Sequence, residues 1–156
     1  MGTVDIRRST LASPDAARLI TALNAELRAT FPEPGATHFS LHGAQIAPGD
    51  GAFVVAYLDD VAVGCGAVRR LDEATAELKR MFVDPSVRGR GIGRALVEAL
   101  EREARQLGMT RVVLETGTRL APAIKLYEAM GYARIPLYGE YVSSPGTSLC
   151  FGKPLG

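Results

Sequence analysis

Three short apolar segments follow one another near the middle of the chain, and each has the length of a β-strand. They occupy residues 53–58, 61–69 and 77–83. Only Asp59 and Asp60 separate the first two segments, and a two-residue connection of this kind is typical of a β-hairpin. The three segments are therefore predicted to form an antiparallel meander.

Two longer segments carry apolar residues at helical spacing. The first is predicted to begin at Ser13, a residue type that favours the N-cap, with Pro14 and Asp15 in the first turn. Its apolar face comprises Leu19, Ile20, Leu23 and Leu27. The second segment occupies residues 94–107, has charged residues opposite its apolar face, and ends at Gly108. This second pattern predicts an amphipathic helix that covers a sheet.

The remaining segments complete a mixed α/β layer. Further strands are predicted at residues 3–8, 111–115, 133–138 and 148–153. Pro122 opens a short helix that Gly131 closes. Residues 31–51 contain prolines, glycines and ring side chains without a sustained period, which predicts a long loop with at most one short helix. The predicted order is β-α-β-β-β-α-β-α-β-β.

Composition limits the class of protein. A chain of 156 residues can bury a core of its own, so residues 1–156 are predicted to form one domain. Lys and Arg total 18 against 17 Asp and Glu, a balance that creates no general field to attract nucleic acid. Cys65 and Cys150 lack metal-ligand spacing, and no signal-peptide core or apolar run of about 18 residues is present. These features predict a soluble cytoplasmic protein that binds neither nucleic acid nor membrane.

A glycine-rich segment between the third meander strand and the second helix is the strongest candidate site. Arg88-Gly89-Arg90-Gly91-Ile92-Gly93 places three glycines at a helix N-terminus, where backbone N–H groups and the helix dipole favour an anion. Arg88, Arg90 and Arg94 add guanidinium groups, which can donate two parallel hydrogen bonds to a diphosphate. We therefore predict a ligand that carries a pyrophosphate.

Spacing excludes two common nucleotide-binding loops. A dinucleotide fingerprint that starts at Gly89 needs a glycine where this chain has Arg94. A Walker loop needs Gly-Lys-Ser/Thr, a tripeptide that occurs nowhere in the chain. A tight strand-to-helix turn without a ligand is the structural alternative.

The pattern R-x-x-G-x-G of residues 88–93 resembles the coenzyme A pyrophosphate loop of the GNAT superfamily of N-acetyltransferases. Residues 76–83 resemble the fourth strand of this family, and residues 123–132 resemble a later helix with the start of the strand that follows it. The resemblance covers most of the chain from about residue 53 onward. It implies an α/β fold with a mixed, mainly antiparallel sheet, a central splayed strand pair and helices on both faces.

The resemblance also implies acetyl-CoA as the acetyl donor and no metal. In this family the splayed fourth strand binds pantetheine through its backbone, a role that falls here on Met81 and Val83. The pyrophosphate would be held by Arg88, Gly89, Arg90, Gly91, Ile92, Gly93 and Arg94.

Two residues match catalytic positions of the family. Glu77 lies four residues before Met81, where some members carry a glutamate that acts as the general base, directly or through water. Strand alternation places Lys79 and Met81 on the same face as Glu77, toward the cleft. A salt bridge from Glu77 to Lys79 or Arg80 is the structural alternative.

Tyr127 matches the tyrosine that donates a proton to the departing coenzyme A thiolate in many members. A phenol with a pKa near ~10 can protonate a thiolate whose thiol has a pKa of ~8.5. Leu120 departs from the family pattern, because asparagine or glutamine is common there. One polar contact to the cofactor is therefore in question.

The acceptor is less well defined. Phe31 and His38 in the long loop and Tyr138 before the last strand are candidate acceptor-binding residues. His38 and His42 are four residues apart, but no third ligand accompanies them and no metal site is predicted. We expect direct acetyl transfer to a primary amine of a small molecule. Acetylation of a protein N-terminus or lysine, a non-catalytic acyl-CoA-binding module and a homodimer stay open.

Overall fold

Strands and helices follow one another in the predicted order, β-α-β-β-β-α-β-α-β-β, in the computed structural model, which describes residues 3–36 and 41–156. The strands are β1 (Val4–Ser9), β2 (Gly51–Leu58), β3 (Val61–Arg70), β4 (Thr75–Val83), β5 (Arg111–Gly117), β6 (Ala133–Ile135) and β7 (Ser148–Pro154). The α-helices are α1 (Pro14–Thr30), α2 (Ile92–Gln106) and α3 (Ala121–Ala129). Short 3-10 turns occupy Gly43–Ile46, Pro85–Val87 and Gly139–Ser143. The predicted α/β class is confirmed.

The strands form one sheet in the order β1-β2-β3-β4-β5-β7-β6. β4 and β5 are parallel, while the other neighbouring strands are antiparallel. Pairing between β4 and β5 stops at Leu78 and Leu114, although the two strands continue to Val83 and Gly117. The strands therefore diverge over their last residues, which is the splayed pair that the family resemblance implies.

Local sequence signals account for several element ends. Asp59 and Asp60 have φ of 51° and 63°, the left-handed pair that a type I′ hairpin turn requires. The Ser13 hydroxyl accepts a 3.1 Å hydrogen bond from the backbone N–H of Ala16 and caps α1. β6 is shorter than predicted and stops at Ile135, directly before a proline.

Helices cover both faces of the sheet. On β2, Phe53 and Val55 pack in a cluster with α1, whereas Val54 and Ala56 pack in a cluster with α2. Because both faces are covered, the middle strands are buried along most of their length. No helix within residues 3–36 and 41–156 has both the length and the apolar character needed to span a lipid bilayer.

A β-bulge interrupts β4 at Arg80. Lys79 pairs with Ala67 and Phe82 pairs with Cys65, so three steps along β4 match two along β3. Arg80 itself has φ of 59°. The extra residue exchanges the faces to which the following side chains point.

The bulge overturns the predicted orientation of Met81. Glu77 and Lys79 lie on the α1 face of the sheet, whereas Met81 packs against the α2 cluster. A Cβ on Gly66 would lie 2.5 Å from the Met81 sulfur, so that sulfur fills the space over this glycine. The expectation that Met81 shares a face with Glu77 and Lys79 is therefore wrong.

Candidate active site

A cavity of about 720 Å³ opens where β4 and β5 diverge. Its walls come from the inner side of α1, the last residues of β4, the glycine-rich loop, the end of β5 and the start of α3. Its volume is in the range of small-molecule and cofactor sites. The cavity joins the segment predicted to bind a pyrophosphate to ionisable side chains in the middle of the sheet.

The glycine-rich loop forms an open helix N-terminus at one end of this cavity. Gly89 and Gly91 have φ of 83° and 81°, a conformation that glycine adopts without strain. Gly91 is the N-cap of α2 and supplies no side-chain cap, and no acidic residue lies in the first turn. The first N–H groups of α2 are therefore available to an anion, and the arrangement fits a diphosphate.

The three arginines of this region differ in their roles. Arg88 donates a 2.9 Å hydrogen bond to the carbonyl of Val83 and forms a 2.7 Å ion pair with Glu26. It thus ties the loop to β4 and α1. Arg90 and Arg94 are exposed at the helix N-terminus, where they add positive charge.

The last residues of β4 offer backbone groups to the cavity. Asp84 N–H donates to the carbonyl of Val63 at 2.7 Å, and Phe82 pairs with Cys65 on the same side. Backbone polar groups alternate along a strand, so those of Met81 and Val83 face away from β3, toward the gap that separates β4 from β5. A ligand in this gap can pair with the backbone of Met81 and the N–H of Val83 as an added strand would, while the Val83 carbonyl already accepts a hydrogen bond from Arg88.

Glu77 lies on β4, beneath the segment that carries Tyr138 and Tyr141, and is 1% exposed. Its Oε1 forms a 2.8 Å ion pair with Arg69, and its Oε2 accepts hydrogen bonds of 2.6 Å from Tyr138 and 3.1 Å from Tyr141. Among the described residues, Glu77 is not part of the cavity wall. The salt bridge to Lys79 that the sequence left as a structural alternative is long, at 3.9 Å, and Arg69 is the main charged partner at 2.8 Å.

Tyr141 connects this buried carboxylate to the cavity. The Tyr141 hydroxyl donates to Glu77 and accepts a 3.2 Å hydrogen bond from Lys79 Nζ. Both Tyr141 and Lys79 line the cavity. Burial and the Glu77 carboxylate raise the pKa of Tyr138 and Tyr141, so both phenols stay protonated at neutral pH.

Glu115 is a carboxylate in the cavity wall that the sequence analysis did not identify. It follows Leu114, the last residue of β5 that pairs with β4. Its Oε2 accepts a 2.6 Å hydrogen bond from the Ser148 hydroxyl. Burial raises the pKa of Glu115 to about 7 against an ordinary 4.5, with Ser148 and Lys79 lowering it and Glu77 raising it.

Tyr127 lies on α3 and lines the same cavity. It is 5% exposed and packs edge-on against Tyr132, with ring centroids 5.8 Å apart. Its hydroxyl makes no hydrogen bond to any residue within 3–36 or 41–156. Burial, followed by the charge of Glu115, raises the pKa of Tyr127, so the phenol is protonated across the neutral range.

Phe31 closes one side of the cavity. It is 4% exposed, and a Cβ on Gly117 would lie 2.3 Å from its ring, so only glycine fits beneath it. Arg119 stacks on the Phe31 ring at 4.9 Å and forms two hydrogen bonds with Glu33, at 2.7 and 2.6 Å. These contacts join the end of α1 to the connection after β5.

The other predicted site residues are placed as follows. Tyr138 contacts Glu77, and within the described residues it does not line the large cavity. His38 lies outside the described residues. Leu120 lines the cavity and is the N-cap of α3 without a side-chain hydrogen bond, so the departure from the family pattern falls in the cavity wall.

Metal and thiol chemistry find no support in the described part of the chain. There, no three His, Cys, Asp or Glu side chains come together as metal ligands would. Cys65 and Cys150 are buried free thiols, and burial raises the pKa of Cys65 to about 12. Neither cysteine belongs to the cavity wall as far as the structure describes it.

Comparison with known sequences places this geometry in a family context. The model of the acetyltransferase (GNAT) family matches residues 17–132. An IAA acetyltransferase from Azospirillum brasilense is 37% identical over 156 residues, covering 99% of this chain and 100% of that protein. The family match includes the glycine-rich loop, Glu115 and Tyr127 and ends before Tyr138 and Tyr141.

Solved structures show the same architecture. A crystal structure from Klebsiella pneumoniae, described provisionally as an acyl-CoA N-acyltransferase, has a TM-score of 0.84 and 30% identity and covers 99% of both chains. A provisionally described acetyltransferase from Salmonella typhimurium, determined with its cofactor acetyl-CoA, has a TM-score of 0.71 at 20% identity. It covers 99% of this chain and 95% of its own. At 20% identity, this similarity shows that the two proteins share a fold and nothing more.

Proposed function

Because this chain belongs to the GNAT family of acetyltransferases and takes its acetyl group from acetyl-CoA, we propose that it acetylates a primary amine of a small molecule by direct transfer. One observation carries the proposal. A single cavity of about 720 Å³ joins the open N-terminus of α2 to Glu115, Tyr127 and Tyr141. A cofactor anchored by its pyrophosphate at the helix would present its thioester to these groups.

The proposed cofactor contacts divide between backbone and side chains. Bound acetyl-CoA supplies an activated acetyl thioester to the site. The N–H groups of residues 89–94 hold the pyrophosphate, with Arg90 and Arg94 adding charge and Arg88 fixing the loop. The backbone of Met81 and Val83 binds pantetheine between the splayed strands.

Tyr127 is the proposed proton donor to the leaving thiolate. Its hydroxyl has no partner in the described chain, so it is available to a cofactor sulfur in the cavity. The raised pKa of Tyr127 keeps the proton on the phenol until a thiolate forms.

Glu77 is proposed to serve the site through the groups that it binds. The family resemblance implies Glu77 as the general base, but its carboxylate is 1% exposed and reaches the cavity through the Tyr141 hydroxyl. It therefore holds Tyr141 and Lys79 in place, and within the described cavity wall Tyr141 is the residue that hydrogen-bonds to it.

The shape of the cavity and the state of the cysteines support the rest of the proposal. Phe31, in the cavity wall, is proposed to border the acceptor. Tyr138 is proposed to contribute through its contacts with Glu77 and Tyr141, and His38 is proposed from the sequence alone. Direct transfer fits the burial of Cys65, because a thiol with a pKa of about 12 is not a nucleophile at neutral pH. Two buried free thiols also suit a reducing cytoplasm.

A paired-substrate assay tests the proposal. A panel of small primary amines is incubated with acetyl-CoA, each beside its N,N-dimethyl analogue, which cannot form a stable amide. Released thiol and N-acetyl product are then quantified together. We expect equal amounts of thiol and amide with at least one primary amine, and only background thiol with its dimethyl analogue.

Two other results would overturn the proposal in different ways. Product formed only on peptide N-termini or lysine side chains would indicate a protein acetyltransferase. Background turnover with every acceptor, together with a melting temperature that acetyl-CoA still raises, would indicate a non-catalytic binding module.

A further inference from the structure

We infer that Glu115 is the group that takes the proton from the acceptor amine. The inference rests on the proposed function and adds a residue that the family resemblance did not supply. Glu115 is the first residue of β5 after its pairing with β4 ends. It therefore stands at the point where the cavity opens between the strands, in the same cavity wall as Tyr127.

One oxygen of Glu115 is fixed and the other is available. Oε2 accepts the 2.6 Å hydrogen bond from Ser148, which orients the carboxylate. Oε1 has no hydrogen-bond partner in the described part of the chain. No side-chain oxygen or nitrogen there is both buried from solvent and unpaired, and Glu115 lines the cavity, so we place Oε1 on the cavity side of the carboxylate.

Burial and the charges around Glu115 determine the pH range in which its carboxylate can act as a base. Groups from four neighbouring elements face it. They are Glu77 and Lys79 on β4, Tyr127 on α3, Glu140 and Tyr141 on the 3-10 turn, and Ser148 and Cys150 on β7. Burial is the largest influence and raises the pKa of Glu115 to about 7. A base with such a pKa is largely ionised just above neutral pH and still binds a proton well.

Glu77 lacks these properties. Both of its oxygens are occupied, by Arg69 on one side and by the two tyrosine hydroxyls on the other. An amine in the cavity would meet Tyr141 before it met Glu77. The two carboxylates therefore have separate tasks, with Glu115 receiving the proton and Glu77 positioning Tyr141.

The proposed step balances as follows. Glu115 Oε1 accepts one proton from the ammonium form of the acceptor, which frees the nitrogen lone pair. That lone pair forms the new C–N bond to the acetyl carbon, while the C–S bond breaks and its electron pair stays on sulfur. The second proton leaves nitrogen to solvent, Tyr127 protonates the thiolate, and solvent returns a proton to Tyr127 and removes the one on Glu115.

The first test is the pH dependence of kcat/KM. In the parent enzyme we expect it to rise through an inflection near pH 7 and then level. Glu115→Gln should lower kcat/KM by ~10²-fold or more near pH 7.5. The inflection should also vanish, so that the rate climbs steadily toward the pKa of the free amine, at ~10.

Three further variants separate this role from a structural one. Glu77→Gln should slow the reaction and keep an inflection, but move it to lower pH, because the charge of Glu77 raises the pKa of Glu115. Ser148→Ala removes a hydrogen bond that lowers the pKa of Glu115, so it should move the inflection to higher pH. Glu98→Gln, an exposed change on α2, should leave the profile unchanged.

A second test measures the titration of the Glu115 carboxyl directly and needs no substrate. In the ligand-free protein, the carbon NMR signal of the Glu115 carboxyl should titrate near pH 7 and should be absent from Glu115→Gln. An inflection that persists in a folded, active Glu115→Gln enzyme would overturn the inference, as would a Glu115 carboxyl that titrates near 4.5. A parent enzyme that acetylates no amine would instead overturn the proposed function.

Discussion

Tyr138 donates a 2.6 Å hydrogen bond to Oε2 of Glu77, a carboxylate whose other oxygen is paired with Arg69. The bond links the segment before the last strand to the middle of the sheet, 61 residues earlier in the chain. Glu77 therefore joins two distant parts of the fold, in addition to its proposed role beside the site. This dual position leads to the first prediction.

Glu77→Gln should destabilise the fold. The change leaves the Arg69 guanidinium without its buried anion, and the loss of one partner of such a pair typically costs 3–5 kcal/mol. We expect about 3 kcal/mol, at the lower end, because the Arg69 side chain keeps 19% of its exposure. Chemical unfolding measures the change, and Glu73→Gln at an exposed position should stay within about 0.5 kcal/mol of the parent. Equal stability of the two variants would contradict the buried pair.

Gly91→Asp should weaken coenzyme A binding. The aspartate would place a negative charge at the helix N-terminus proposed to hold the pyrophosphate, and it would strain a residue with φ of 81°. Gly108→Asp is a matched control, because Gly108 has φ of 82° and open space around its Cα but lies at the other end of α2.

Calorimetry compares the two aspartate variants directly. The affinity for coenzyme A should fall at least about tenfold, or about 1.4 kcal/mol, in Gly91→Asp and stay near the parent value in Gly108→Asp. A similar affinity in both variants would remove the loop from the binding site.

Tyr127→Phe should impair chemistry without loss of stability. The Tyr127 hydroxyl has no partner in the described chain, so the fold loses no hydrogen bond, while the thiolate loses its proposed proton donor. We expect kcat to fall by ~10²-fold, with the affinity for acetyl-CoA unchanged. A Tyr127→Phe enzyme with full turnover would exclude the proton-donor role.

The neighbouring Tyr132 provides a control, because its substitution should lower stability and leave kcat unchanged, the reverse of Tyr127→Phe. Its hydroxyl donates a 2.8 Å hydrogen bond to Glu101, which also pairs with Lys153. Tyr132→Phe should therefore lower the free energy of unfolding by about 1–2 kcal/mol and leave kcat unchanged.

The raised pKa of Glu115 predicts a pH dependence of stability. The folded-state value of about 7 lies above the ordinary 4.5, so folding favours the protonated carboxyl. Its contribution is complete below about pH 4.5 and is lost as pH rises through 7. At about 1.4 kcal/mol per pKa unit, a shift from 4.5 to about 7 corresponds to a total loss of ~3.5 kcal/mol.

Glu115→Gln should abolish this contribution. Relative to the parent, the variant should gain ~2.5 kcal/mol of stability between pH 5 and pH 8, because its amide does not ionise. Unfolding free energies measured at both pH values check this, and a constant difference between variant and parent would contradict the raised pKa.

The sequence predicted features that short-range rules determine. The turn at Asp59 and Asp60, the cap at Ser13 and the glycine-rich start of α2 each depend on neighbouring residues alone. The family resemblance added the splay of β4 from β5, which no local pattern encodes. The local patterns also predicted the order of the strands and α-helices along the chain.

The orientation of Met81 was predicted wrongly because a bulge depends on strand pairing. Strict alternation puts residues 77, 79 and 81 on one face, but Arg80 adopts φ of 59° and reverses the rest of the strand. Arginine rarely takes this conformation. Its side chain bonds to Asn24 of α1, a contact 56 residues away that the sequence does not reveal.

Glu115 was not predicted as a site residue because its position, like that of Met81, depends on contacts between distant parts of the chain. Its hydrogen-bond partner, Ser148, lies 33 residues later in the chain, and its position beside the cavity depends on where β5 leaves β4. One signal was present, since Glu115 ends the apolar run 112–114 with a carboxylate. An acidic residue that ends a buried strand next to a splayed neighbour is a candidate site residue.

A crystal structure of the protein with coenzyme A bound tests the central claim most directly. The account predicts that pyrophosphate oxygens accept hydrogen bonds from N–H groups of residues 89–94 and that pantetheine lies between β4 and β5. It also predicts the cofactor sulfur within hydrogen-bonding distance of the Tyr127 hydroxyl, on the side of the cavity that Glu115 faces. A pyrophosphate bound away from α2, or a sulfur out of reach of Tyr127, would contradict it.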